Sequence, residues 1–423
     1  MSLVKTSILN GIAVAVKITV AMLLNKILAV YVGPAGYAAI GQFQNVLAIA
    51  ASLSGGVFAA GVTKGTAEHF EDAARQHAVW QTAVKLTVFA TVLSSATLLL
   101  AGPRLSQQLM QSFDMSSLLV WTGLALPAIA ANNLLLAIIN GKKEIATYVA
   151  ANIIGSLVSL CIVALLTYVW GLYGALLALA ISPAVLLLGT GALVSRLAWF
   201  KTNFLWGKMR RPIFRELSGF GLMGLTSALA APFTYMLIRD HLATSIDLNA
   251  AGLWQAAWKM SEIYLMLVTT TLSVYYLPRL AEIKTSHELK REILKVYQFV
   301  FPIIVGGATV IYSLRDLIIE SLFSAEFIPM RSLFLWQLTG DVLRVGSWVL
   351  SFVMLGRAMV KTFVLTELTF SLSFYFLTLE LVAREGLVGV SMAYAINYLL
   401  YWATMAFIVH RKLTTMKTEN VQF

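Results

Sequence analysis

The sequence predicts an all-α integral membrane protein: twelve transmembrane helices in two pseudo-symmetric six-helix bundles around a central cavity. Three observations carry that prediction. Residues of the hydrophobic class make up 59% of the 423, charged residues 12%, and the mean hydropathy is +0.80; a soluble domain carries about 25% charge, so this chain cannot cover itself with a wetted surface. Its apolar stretches reach the roughly 20 residues that a helix needs to cross hydrocarbon. One pattern also occurs twice, 215 or 216 residues apart: Ala35-Gly36 returns as Ala251-Gly252, Gly141-Lys142 as Gly356-Arg357, and Gly171-Leu172-Tyr173-Gly174 as Gly386-Leu387-Val388-Gly389. An offset so constant points to a duplicated six-helix unit.

The twelve apolar stretches run Ile8 to Val32, Tyr37 to Val62, Ala78 to Ala101, Ser117 to Asn140, Tyr148 to Trp170, Gly174 to Ser195, Leu217 to Arg239, Ala251 to Leu277, Val296 to Leu314, Met330 to Gly356, Thr362 to Ala383 and Val388 to Val409. The first follows a short polar start without a small-residue cleavage site, and its apolar run is too long for a signal-peptide core, so it reads as a retained helix. Pro127, Pro183, Pro232 and Pro302 fall within or at the start of helices, where they permit kinks. The single cysteine, Cys161 in the fifth stretch, excludes a disulfide and a Cys-based metal site. The divisions that follow are a bundle over 1–195, a basic cytoplasmic linker over 196–216, a second bundle over 217–409 and a cytoplasmic tail over 410–423.

Charge sets the expected orientation. With the amino terminus in the cytoplasm, twenty-one of the 31 Lys and Arg face that side: Lys5, Lys64, Arg75, Lys142, Lys143, Arg196, Lys201, Lys208, Arg210, Arg211, Arg215, Arg279, Lys284, Lys290, Arg291, Lys295, Arg357, Lys361, Arg411, Lys412 and Lys417. Only Arg104, Arg239, Arg315 and Arg384 face the other. Such a bias predicts that both termini are cytoplasmic. The net charge of +11 is thus a topology signal with affinity for anionic membrane lipid, and does not point to nucleic acid. The linker aromatics Trp199, Phe200, Phe204 and Trp206 suit a segment on the membrane surface. Each bundle has six helices and starts on the same side, as in parallel repeats, and two such halves flanking a cavity are the usual build of an alternating-access transporter.

Six cations remain inside the helices: Lys17, Lys26, Lys85, Lys259, Arg331 and Arg344. Each costs about 2.5–3.5 kcal/mol at mid-membrane unless it finds a wet cavity, a partner or the interface. Lys85 and Arg331 lie near helix ends and can snorkel. In the eighth stretch Gln255, Lys259 and Glu262 share a stripe that lets Lys259 reach Glu262; in the tenth, Gln337, Asp341, Arg344 and Trp348 repeat the arrangement. These stripes line a cavity or lock helices together as neutralised pairs. In the first helix Asn10 and Lys17 share a face, with Lys26 on the opposite one. Gln42 and Asn45 head a neutral stripe with Ile49, Ser52 and Gly56, and Asn133 shares a face with Asn140. Such amides are equally compatible with sugar hydroxyls and with interhelical hydrogen bonds.

A cavity holding Lys17, Lys259, Arg344 and Lys26 against Glu262, Asp341 and Glu367 leans cationic and predicts an anionic ligand, since Arg binds phosphate oxygens through paired hydrogen bonds. Protonation of Asp341, Glu262 or Glu367 is a candidate ion-coupling step. No Gly-rich phosphate loop is present, and the five His show no metal spacing, so neither a built-in ATPase, a metal centre nor any other cofactor is expected. The outer loops are too short for a lipid-dependent glycosyltransferase domain, and the reading is of a non-enzyme.

The run Met330-Arg331, Leu333-Phe334, Trp336-Gln337-Leu338 and Gly340-Asp341-Val342-Leu343-Arg344-Val345-Gly346 resembles the tenth-helix region of bacterial O-antigen and enterobacterial common antigen lipid flippases. Gly252-Leu253-Trp254-Gln255, Leu277-Pro278, and Lys26-Ile27-Leu28-Ala29 leading to Gly33-Pro34-Ala35-Gly36 look similar too. The likeness spans nearly the whole chain and belongs to the polysaccharide transporter branch of the multidrug, oligosaccharidyl-lipid and polysaccharide exporter superfamily. It implies two six-helix bundles in a V shape that flip polyprenyl-pyrophosphate-linked oligosaccharide across the bacterial inner membrane. In that setting Lys17, Lys26, Lys259 and Arg344 would bind pyrophosphate, Gln42, Asn45, Asn133, Gln255, Gln337 and Trp348 would meet the glycan, and a polysaccharide polymerase and chain-length proteins would be partners. The competing expectations are a cation-coupled exporter of small amphiphilic compounds on the same fold, and a scaffold for glycan assembly.

Overall fold

Glycine punctuates this helical chain. In the computed structural model, which describes residues 3–109, 116–276, 279–280, 283, 285–357 and 359–419, one helix runs from Leu3 to Leu53 and another from Ile145 to Val194, and each is broken at a single glycine. Gly33 (φ 64°, ψ −178°) separates the first span (3–32) from the second (34–53), and Gly171 (φ 56°, ψ −133°) the fifth (145–170) from the sixth (172–194). These backbone angles are close to a Gly-only region. The other spans are Ala73–Leu109, Ser116–Gly141, Arg211–Ser245, Leu248–Thr271, Ser286–Ser313, Phe334–Gly356, Val360–Glu385 and Val388–Glu419. Nine helices among the described residues are long and apolar enough to cross a membrane, two of them, at 43 and 50 residues, being the broken pairs. The eighth span, Leu248–Thr271, is not among the nine, and it is the one that carries Lys259 and Glu262. Twelve spans result. Leu277, Pro278 and Lys284 lie outside the described residues, as do the side chains of Lys5, Asn10 and Lys417.

The duplication extends to individual hydrogen bonds. At the end of the fourth span the N–H groups of Lys142, Glu144 and Tyr148 donate to the carbonyls of Ile138, Ile139 and Glu144 at 2.9, 3.1 and 2.9 Å. At the end of the tenth, Arg357, Met359 and Phe363 donate to Val353, Met354 and Met359 at 3.0, 2.9 and 3.0 Å. Every donor and acceptor is displaced by 215 positions. Gly386 (φ 62°, ψ −143°) repeats Gly171, and a Cβ on Gly174 or Gly389 would run into the carbonyl oxygen of Leu166 or Leu381, again an equivalent pair. The repeat lapses where Gly33 has no counterpart: there Asp247 caps the eighth span, its carboxylate accepting from the Ala250 N–H at 2.7 Å.

The chain divides into two units, one of residues 1–32 and 39–236, the other of 33–38 and 237–423. In the first, the fourth span packs on the third and on the broken helix Ile145–Val194. A cluster of Val62, Val79, Trp80, Ala83, Ala137, Ile138 and Leu217 closes its basic end, and Trp199, Phe204 and Leu205 pack against it. The ring of Phe204 stacks on His77 at 4.1 Å, and Trp199 donates to Glu144 at 3.0 Å. Those two half-buried aromatics therefore face protein, where ring contacts and a partner for the indole N–H favour them over lying on lipid; Trp206 stays exposed. In the second unit, the tenth span packs on the twelfth, ninth and eighth, and the twelfth on the eleventh. Its core includes Leu265, Leu272, Tyr276, Val300, Val349, Val353 and Met405.

Several boundaries differ from the sequence reading: the ninth span starts ten residues earlier, at Ser286, and the twelfth continues ten residues further, to Glu419. The second span ends at Leu53, because Gly55 adopts φ 119° and a Cβ there would press on Thr87; Val62 belongs to a separate helix, Ala59–Glu68. The tenth starts at Phe334, after a short helix Arg315–Leu322 and a 3-10 segment Ala325–Leu333 whose Arg331 pairs with Asp316 at 3.0 Å.

Candidate functional site

The polar residues of the second unit meet on three helices. The eighth, tenth and twelfth spans are close-packed where Gly340 and Gly346 let Tyr394 and Trp402 approach the tenth. Asp341 is fully buried there. One carboxylate oxygen accepts from the hydroxyls of Ser261 and Tyr264, each at 2.6 Å, and the other from Tyr394 at 2.8 Å. Gln337 extends the set by donating to Ser261 at 3.1 Å and accepting from Ser391 at 3.3 Å. A buried carboxylate is tolerated when its acceptor sites are filled in this way. Asp341 thus ties three helices together, which makes it structural whatever else it does. Asp341→Ala would strand three hydroxyls and is expected to cost about 2–4 kcal/mol, while Asp341→Asn, which keeps an acceptor, should cost about 1 kcal/mol. Thermal unfolding of the purified variants measures both, and an Ala variant that melts with the wild type contradicts the tie.

One turn along, Arg344 is framed by aromatic faces. Its guanidinium carbon lies 4.6 Å from the ring centre of Trp348, 5.1 Å from Trp258 and 5.5 Å from Tyr398, and it donates to the Tyr394 hydroxyl at 3.3 Å. Cation–π contacts of this kind hold an arginine by its faces, while the donors of a guanidinium lie in its plane. Trp258 also donates to Glu262 at 3.2 Å, and Glu262 pairs with Lys259 at 2.8 Å. The carboxylate side chain remains 46% and the ammonium side chain 30% exposed. Lys259, Glu262, Trp258, Arg344 and Trp348 consequently form one continuous cluster.

Two spacing expectations change. Gln255 shares the Lys259 stripe but is buried and accepts from Arg239 at 2.5 Å, its amide engaged by protein. Arg239, read as lying beyond the membrane, is 4% exposed over the ring of Trp254. The seventh helix continues to Ser245, so the arginine lies more than a turn inside its end. The hydroxyls of Ser261, Tyr264 and Tyr394, and the rings of Trp258 and Tyr398, were not legible as site residues. Trp254 with Trp258, and Tyr394 with Tyr398, each recur at four-residue spacing, but an aromatic stripe is the common signature of packing.

No family model matches the chain. Over 404 residues it is 30% identical to the lipid III flippase of Escherichia coli (strain K12), across 95% of this chain and 97% of that protein. The chain belongs to the lipid III flippase family. Among solved structures, the inward-facing conformation of a multidrug resistance MATE family transporter of the MOP superfamily has a TM-score of 0.81 at 16% identity, covering 95% of this chain and 96% of that one. An outward-facing conformation of such a transporter gives 0.75 at 17%, covering 98% and 96%. At that identity the likeness is one of fold.

In this member of the lipid III flippase family the remaining candidates lie on other spans. Lys17, Lys26, Gln42, Asn45 and Asn133 belong to the first unit, all half-buried, with the Asn45 amide nitrogen enclosed. Glu367, on the eleventh span of the second unit, is half-buried and lies within electrostatic range of Arg344 and Tyr398. Among the described residues no cluster of His, Cys, Asp and Glu could hold a metal.

Proposed function

We propose that this chain carries a polyprenyl-pyrophosphate-linked oligosaccharide, an O-antigen repeat or a related surface-glycan unit, from the cytoplasmic to the periplasmic leaflet of the bacterial inner membrane by alternating access, without catalysing a covalent reaction. The observation that carries the reading is the guanidinium of Arg344, held by three rings beside the Lys259–Glu262 pair. A pyrophosphate offers a strongly charged acceptor for such donors. The name of the relative at 30% identity supports the substrate class, and fold relatives captured inward- and outward-facing support the alternation. Lys17 and Lys26 would add positive charge from the first unit. Gln42, Asn45, Asn133 and Trp348 are the candidates for glycan contact, with Gln255 and Gln337 lending support through the bonds they already make.

With both termini cytoplasmic, as the bias of basic loops supports, export moves negative charge away from a negative interior. That gains about 2.3 kcal/mol per charge per 100 mV. A polysaccharide polymerase and chain-length proteins are proposed as partners that receive the product. An exporter of small amphiphilic cations is the weaker reading, because the cluster of Lys259, Glu262 and Arg344 carries two positive charges against one negative. The test is transfer of lipid-linked oligosaccharide between leaflets of proteoliposomes under an imposed potential. Protein-dependent transfer, accelerated by an acceptor-side-positive potential, is expected; dye efflux without lipid transfer would replace the proposal with the exporter.

A further inference from the structure

The second unit contains a basic pocket away from the Arg344 cluster. It opens between the start of the ninth span and the last described turns of the twelfth, has a volume of about 730 Å³, and is lined by His287, Lys290, Arg291 and Lys295 from one helix and His410 and Thr414 from the other. No carboxylate is among its described lining residues. The nearby acids on the ninth span are Glu288, exposed, and Glu292, buried and accepting from the Tyr275 hydroxyl at 3.0 Å. Such a concentration of positive charge attracts an anion, and basic recesses between membrane helices on the cytoplasmic side are suited to phosphate headgroups.

A second recess of about 520 Å³ adjoins it and shares Lys295 and Gln298. Its walls are otherwise Leu272, Tyr275, Tyr276, Val296, Phe299 and Val300. Lys295 is held at the junction, donating to the Tyr275 hydroxyl at 3.2 Å and lying 5.8 Å from that ring. Phe299 and Leu294 are 63% and 51% exposed, and Ile303, one turn beyond Phe299, is 55% exposed. The apolar surface therefore continues along the ninth span in the direction of the hydrocarbon. A free phosphate would use only the first recess, and an alkyl chain only the second. A molecule with an anionic head and an acyl tail uses both.

We propose that this paired recess binds an anionic glycerophospholipid of the surrounding leaflet, with its phosphate among Lys290, Arg291 and Lys295 and an acyl chain along Phe299, Val296 and Val300. The site is separate from the proposed transport site, and its occupant is a resident lipid. It brackets the ninth and twelfth spans, both packed on the tenth, so lipid bound there braces the helix that carries Asp341 and Arg344.

Native mass spectrometry of the purified full-length chain, titrated with phosphatidylglycerol and with phosphatidylethanolamine of the same chains, tests the assignment. At least tenfold preference for phosphatidylglycerol is expected, lost in the Lys290→Gln, Arg291→Gln, Lys295→Gln triple variant, whose exposed side chains leave the core intact. Phe299→Ser should weaken the long-chain lipid severalfold and leave a short-chain analogue unchanged. Arg344→Ala should bind phosphatidylglycerol as the wild type does, so that failure of the transport proposal leaves this one standing. Equal binding of the two lipids, a triple variant that binds like wild type, or loss on Arg344→Ala overturns the proposal. So does full displacement by millimolar inorganic phosphate, which marks a phosphate site, or by an equimolar polyprenyl pyrophosphate, which marks a substrate-docking site.

Discussion

Arg344→Ala is expected to reduce transfer of lipid-linked oligosaccharide at least a hundredfold in proteoliposomes, with normal expression and thermal stability. The arginine is half-buried, and its contacts include three ring faces and a tyrosine hydroxyl; these rings remain packed against other partners when it is removed, including Trp258 against Tyr394 at 5.2 Å. A charge-assisted hydrogen bond is worth roughly 1.5–3 kcal/mol, and a bidentate grip on pyrophosphate would lose about two of them, which sets the hundredfold figure. Arg344→Lys keeps the charge but loses the planar fork, so partial activity is expected. Full transfer by a well-folded Ala variant would remove Arg344 from the site, whereas low transfer with a lowered melting temperature would show that its role is packing.

Gly389→Val, and its repeat partner Gly174→Val, should leave little or no folded protein in the membrane. Each glycine sits three residues after a positive-φ glycine, where a side chain would overlap the carbonyl oxygen of Leu381 or Leu166. Backbone cannot swing aside as the end of a flexible side chain can, so relief requires opening the hairpin between neighbouring spans. Strain of this kind exceeds the 1–3 kcal/mol typical of overpacking and consumes much of a native stability of about 5–15 kcal/mol. The comparison is informative in pairs, because Gly171→Ala and Gly386→Ala meet no neighbouring atom and should cost only the backbone penalty of about 1–3 kcal/mol. Monodispersity and yield of the four proteins measure the difference; a Val variant that purifies like wild type would refute the close approach.

The helices, the duplication and the Lys259–Glu262 pair were legible because each depends on local spacing: an apolar run long enough to span, a constant offset, three residues between base and acid. Gly171 and Gly386 are a matched pair in the sequence, and their backbone angles match as well. The Asp341 set was only half legible. Its acid shows in a stripe with Gln337 and Arg344, but the three hydroxyls that fill its oxygens come from two other helices 53 to 80 residues away, and long-range partners leave no periodicity. Arg239 was misplaced because a cation near a helix end reads as a loop anchor until the helix is seen to extend past it. The segment from Arg315 to Leu333 was missed for a related reason: a short helix followed by a 3-10 stretch has neither the length nor the regular period of a span.

The eighth span has a consequence for how the protein is made. It is too polar to count with the nine readily spanning helices, and Lys259, Glu262 and Gln255 would oppose its release from the translocon as a lone segment. The seventh span ends at Ser245 and the eighth begins at Leu248, and the Arg239–Gln255 bond already joins them. The two should therefore leave the translocon together as a helical hairpin, with the later helices supplying the remaining polar contacts. Biogenesis of the second half then depends on the order of synthesis: a nascent chain halted soon after Thr271 would hold the seventh and eighth helices as a pair whose polar contacts to the tenth are still unmade.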